Sequence, residues 1–170
     1  MDKYELDGET YYFNNGKWLT SNYMSAPTAV LGKLNKLLAD DSSEKSVEDV
    51  IKILDGAKQS DNTHLALKMA QDALNKATPS DLRLLLPRIT SLYRKNDQPE
   101  EAIRFAKEYI DQYEKKVCSP ALFTSLAAAY CDLGRIEDAR KYANRARALS
   151  GNSSSVELMS VYRRIKMLEG

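Results

Sequence analysis

The pattern Leu86-x-x-Ile89-x-x-x-Tyr93 followed by Ala102-x-x-x-Ala106 returns 37 residues later as Phe123-x-x-Leu126-x-x-x-Tyr130 followed by Ala139-x-x-x-Ala143. Apolar residues at three- and four-residue spacing belong to helices, and a shared offset keeps two whole helix pairs in register. A pair of this length cannot bury its apolar face alone and must stack on a neighbour. Stacked pairs build a curved surface for other chains, so the repeat points to an interaction module before an enzyme.

The first twenty residues obey a different period. Tyr4 to Leu6, Glu9 to Phe13 and Lys17 to Thr20 are separated by Asp7-Gly8 and Asn15-Gly16, dipeptides that accept positive φ at both central positions of a two-residue hairpin. They predict a three-stranded antiparallel meander at 1–24, with Tyr11, Phe13 and Trp18 forming an aromatic face that packs on helices. Ser25-Ala26-Pro27-Thr28 marks a boundary, and a helical-repeat domain is expected over 27–170.

Within that domain Val30 to Ala39 carries an apolar stripe, Asp40 to Ser43 reads as a loop, and Ser46 opens a helix ending near Gly56. Ser60-Asp61-Asn62 leads into a helix whose face is made of small residues, Ala66, Ala70 and Ala73 among them. Further helices are expected from Asp81 to Arg94, from Pro99 to about Lys116, from Ala121 to Asp132, from Ile136 to Leu149 and from Ser154 to Leu168. The last should be polar enough on one side to close the stack. Pro87 should kink or restart its helix unless the helix begins near Leu84.

Residues 120–153 resemble a tetratricopeptide repeat. Phe123 stands at the usual Trp, Leu126-Ala127 at the Leu-Gly pair, Tyr130 at the aromatic, Leu133-Gly134 at the turn, and Ala139 and Ala146 at the small residues of the second helix. Ala143 and Gly151 depart from the usual aromatic and Pro. Residues 83–116 match more loosely and 47–80 more loosely still. The resemblance implies a mainly α protein, a right-handed solenoid of about three helix pairs plus a capping helix, with the first helix of each pair lining a concave groove. Carried onto this sequence, that groove holds Ile51, Lys52 and Asp55, then Leu84, Arg88, Ser91 and Lys95, then Thr124, Ser125, Ala128 and Asp132. Some members of the family grip the C-terminal carboxylate of chaperones with Lys and Asn; Asp55 and Ala128 replace the amides here, so that partner is not expected. The segment Asp7 to Trp18 is also similar to one unit of aromatic cell-wall-binding repeats, which act in tandem, whereas this unit stands alone.

Catalytic chemistry has little to work with. His64 is the single histidine, at a helix start, and with two scattered cysteines it makes neither a zinc site nor a nucleophile with its base. Gly32-Lys33 lacks a phosphate-binding loop. No enzyme activity, metal or cofactor is expected.

Charge narrows the partner. Residues 1–62 carry 7 Lys/Arg against 11 Asp/Glu, and residues 135–170 carry 8 against 4, although the net charge is only +1. The basic end includes Arg135, Arg140, Lys141, Arg145, Arg147, Arg163, Arg164 and Lys166, but only Tyr142 and Tyr162 accompany them, few stacking platforms for a single-strand binder. The expectation is a non-catalytic module that binds a protein or peptide segment in the groove, an acidic one suiting Arg88 and Lys95 with Arg94 beside them. Nucleic-acid binding through the basic helices and self-assembly through the acidic and basic ends stand as alternatives. Cys118 and Cys131 form no disulfide framework, Met1 to Glu5 offers no signal-peptide stretch, and no run approaches a membrane span, so a cytoplasmic location is expected.

Overall fold

Two Gly-containing turns begin the chain's architecture. Asp7 and Gly8 have φ of +52° and +83°, Asn15 and Gly16 +48° and +77°, the paired left-handed conformation that joins strands through two residues. They connect β1 (Asp2–Leu6), β2 (Glu9–Asn14) and β3 (Lys17–Thr20) into an antiparallel sheet in the order β1-β2-β3, with Leu6 opposite Glu9 and Asn14 opposite Lys17. The structure, a computed structural model, describes residues 1–42, 45–57 and 63–170. The expected loop at 60–62 lies outside them, as does Ser43.

Eight helices follow among the described residues: α1 (Thr28–Ser42), α2 (Val47–Ala57), α3 (Thr63–Asn75), α4 (Pro79–Lys95), α5 (Pro99–Tyr113), α6 (Pro120–Asp132), α7 (Ile136–Leu149) and α8 (Val156–Leu168). Their starts are chemically specified. The Ser46 hydroxyl accepts the Asp49 amide at 3.2 Å, and Thr78 and Asp81 form a reciprocal capping box. Proline in the first turn opens α4, α5 and α6.

Three boundaries differ from expectation. α1 continues through Asp40 and Asp41 instead of yielding to a loop, because the Asp41 carboxylate accepts a hydrogen bond from the Tyr4 hydroxyl at 2.9 Å and pairs with Lys45 at 3.4 Å, which holds the last turn. α5 stops at Tyr113, where Glu114 takes φ +50° and a single 3-10 turn, Glu114–Lys116, follows. α4 neither restarts at Leu84 nor breaks at Pro87. Pro87 lies buried mid-helix, and packing outweighs the lost backbone hydrogen bond.

By contact the chain divides into two compact units, Met1–Ala77 and Thr78–Gly170. In the first unit the aromatic face of the meander is buried with the helices: Tyr11, Phe13 and Trp18 share one core with Leu34, Leu38, Leu65 and Met69. Burying three aromatic rings supplies several kcal/mol, about 2–3 each, that a three-stranded sheet lacks by itself. Trp18 Nε1 donates to Asn35 Oδ1 at 2.8 Å, which satisfies its polar edge. The β2-β3 turn rests on α2 at Gly56, where an added Cβ would lie 2.7 Å from Asn15 Cα.

In the second unit α4 pairs with α5 and α6 with α7, each across a three-residue turn, while α6 packs on both α4 and α8. The repeat is visible atom by atom. Gln98 N donates to Tyr93 O at 2.8 Å and Arg135 N to Tyr130 O at 3.0 Å; Asp97 N donates to Arg94 O and Gly134 N to Cys131 O, both at 3.0 Å. Ala102, Ala106, Ala139 and Ala143 are fully buried, so the second helix of each pair approaches the first closely through small side chains.

Candidate functional site

The C-terminal ends of α4, α6 and α8 carry the charged cluster of the second unit. Asp132, the last residue of α6, receives Arg94 of α4 bidentately, Nε to Oδ2 at 2.7 Å and Nη2 to Oδ1 at 3.1 Å. Arg164 of α8 donates Nη2 to the same Oδ1 at 2.8 Å and Nη1 to the Ala128 carbonyl at 3.5 Å. One carboxylate thus joins three helices, and charge-assisted hydrogen bonds of this geometry are the strong ones. Partial burial by itself would raise the Asp132 carboxyl, but the hydrogen bonds from Arg94 and Arg164 outweigh it and hold the group below the usual carboxylate range. Beside it burial pushes the Cys131 thiol up, so that thiol is the protonated, less nucleophilic form at neutral pH.

A pocket of about 480 Å³ opens over this cluster, lined by Ser91, Arg94, Lys95, Asp97, Asp132 and Arg164. Three cations face two carboxylates, leaving a positive surplus at its wall. On the pocket's inner side the hydroxyls of Ser91 and Ser125 lie 3.2 Å apart, and Ser125 Oγ donates to the Pro87 carbonyl at 3.4 Å.

The residues expected to line a groove distribute as follows. Ser91 and Lys95 meet at this pocket. Leu84 is half exposed further up α4, and the Arg88 Nη1 donates to the Leu84 carbonyl at 2.7 Å. Thr124 and Ala128 are buried, 8% and 6% exposed; the Thr124 hydroxyl donates to the Pro120 carbonyl at 2.7 Å, so both contribute packing and Ala128 offers only its carbonyl. Lys52 and Asp55 are exposed on α2 in the first unit, where Lys52 borders a separate 370 Å³ pocket with Asn15, Lys45 and Asp49.

Arg94 was legible beside Arg88 and Lys95 as a partner for an acidic peptide, but its pairing with Asp132 was not. Arg164 reads in the sequence as one of a basic run, and only the distance from Ser119 to Ser155, two helix caps, would have placed it over Ala128.

Among the described residues no group of His, Cys, Asp and Glu could hold a metal ion, and no helix is long and apolar enough to cross a membrane. No family model matches the chain, and no curated protein matches it.

Proposed function

We propose that the chain is a non-catalytic protein of tetratricopeptide-like helix pairs, stacked as a right-handed solenoid, that binds a protein or peptide segment across the face formed by α4, α6 and α8. The observation that carries this reading is the pocket at the helix ends, where Arg94, Lys95 and Arg164 outnumber Asp97 and Asp132. An acidic side chain of the bound segment fits there among Arg94, Lys95 and Arg164, with Ser91 as a neutral neighbour. Leu84, half exposed on the same helix, supplies apolar contact further along the segment.

The basic C-terminal residues favour nucleic acid less. Arg135 pairs with Asp138 at 2.7 Å, Arg140 with Glu137 and Glu169, and Arg164 with Asp132, while Arg145 lies over the Phe123 ring at 4.5 Å. Charges spent on internal partners add little to a phosphate-binding stripe. The free thiols of Cys118 and Cys131 accord with a reducing, cytoplasmic setting.

The test is affinity capture from host lysate, with nuclease and at low and high salt, using the wild type beside Arg88→Glu/Lys95→Glu. A protein that survives nuclease and is lost from the variant supports the reading. A nucleic-acid-dependent catch that the variant retains overturns it.

A further inference from the structure

Among the described residues, nothing covers the third helix of the series α4, α6, α8 as α7 covers the second. Ser155 caps α8 as Ser119 caps α6: each hydroxyl accepts the amide three residues on, Leu158 or Leu122, at 3.1 Å. Aligned on these caps, Met159, Arg163 and Lys166 stand where α6 has Phe123, Ala127 and Tyr130. On α6 those three are essentially inaccessible, and α7 is what covers the rings: Tyr142 stacks on Phe123 at 6.0 Å and on Tyr130 at 5.4 Å, with Arg145 over Phe123. On α8 Met159 is 51% exposed, and Val156 and Met167 on the same side are 80% and 76% exposed. The terminal helix of a stack was expected to turn a polar side outward; this one turns out three large apolar side chains with two cations between them.

We propose that this face of α8 docks an amphipathic helix with acidic side chains, supplied by another polypeptide and seated on α8 as α7 is seated on α6. The apolar side of the incoming helix covers Val156, Met159 and Met167, and its carboxylates pair with Arg163 and Lys166. Neither cation pairs with a carboxylate among the described residues. Complementary charge selects the occupant. A second copy's α8 would bring Arg163 and Lys166 of both chains together. The acidic first unit of another copy offers no match either, since its described helices expose no large apolar side chain.

The test uses two labelled probes, stapled so that both are helical free in solution. One is the α7 sequence, residues 136–149; the other is that sequence carrying Arg140→Glu, Lys141→Glu, Arg145→Glu and Arg147→Glu. Fluorescence anisotropy with the full chain should show the acidic probe binding at least about tenfold more tightly than the basic one. Arg163→Glu/Lys166→Glu in the protein should erase that preference, and Met159→Glu/Met167→Glu should weaken the acidic probe at least about tenfold. These positions are exposed, so circular dichroism should remain that of the wild type. Lys95→Glu should leave probe binding unchanged, which separates this face from the pocket at the helix ends. Equal binding of the two probes, binding of neither, or indifference to the α8 substitutions overturns the proposal. So does a dimer seen by light scattering that disappears in Met159→Glu/Met167→Glu, which would assign the face to a second copy.

Discussion

Asp97 and Gly134 occupy the same left-handed backbone position 37 residues apart, with φ of +59° and +69°, at the turn between the helices of each pair. The conformation is the same and the cost is not, because a Cβ is tolerated poorly there and glycine has none. Asp97→Gly should therefore stabilise the second unit by a few tenths to about 1 kcal/mol, and Gly134→Ala should destabilise it by about 1 kcal/mol. No neighbour lies within 4 Å of a Cβ built at Gly134, so the second effect is backbone strain and not a clash. Urea denaturation followed by far-ultraviolet circular dichroism measures both, and shifts of the same sign would refute the assignment.

Gly56 illustrates the opposite case. In a helix, alanine normally gains about 1 kcal/mol over glycine. Here the new Cβ would meet the Asn15 backbone at 2.7 Å, and turn backbone cannot swing aside as a side-chain tip can. Gly56→Ala should cost the first unit about 1–3 kcal/mol in spite of the better propensity. The single tryptophan, Trp18, is buried in that unit's core and reports the loss directly. An unchanged or higher denaturation midpoint by tryptophan fluorescence would mean that the hairpin backs away from α2 at no cost.

Asp132 links stability to acid. Its carboxyl is held down in the folded state by Arg94 and Arg164, against about 3.9 in an unfolded chain. The native state therefore binds this proton more weakly, and the contribution is complete above the unfolded value and lost as pH falls through the lower folded one. Asp132→Asn should lower stability at pH 7 by about 1–2 kcal/mol and flatten the acid limb below about pH 4. Wild type and variant losing stability in parallel over that range would sink the linkage.

At the alkaline end the first unit has a matching pair. Burial and the Asp41 carboxylate push the Tyr4 phenol well above its ordinary value. Lys45 is lowered by burial but raised further by Asp2 and Asp41, so its ammonium is also favoured in the fold. Both groups keep protons in the native state that the unfolded chain gives up near pH 10, so their stabilisation is complete below about pH 10 and declines above it. Tyr4→Phe should leave a shallower decline between about pH 10 and pH 11.5, followed through Trp18 fluorescence; an unaltered slope would place the loss elsewhere.

Much of the local architecture was legible because its causes are local. The two Gly-containing turns and the Ser46 cap each act within four residues, and they appear at their expected places. The apolar period located the helices, and the 37-residue offset located the pairs, down to matching turn hydrogen bonds at Tyr93 and Tyr130.

What the sequence could not reveal depends on partners far along the chain. Whether Asp40 and Asp41 end a helix was decided by Tyr4, and whether Pro87 breaks one was decided by packing. Thr124 and Ala128, expected to line a groove, are buried once α6 lies between α4 and α8. Arg94, Asp132 and Arg164 come from three separate helices and become a cluster only when those helices align their ends. Propensity, capping and periodicity are short-range terms that a single strand of text records. Burial and ion pairing between distant residues are set by how the elements stack, so the tertiary structure alone determined which charges meet at a pocket and which apolar side of α8 was left uncovered.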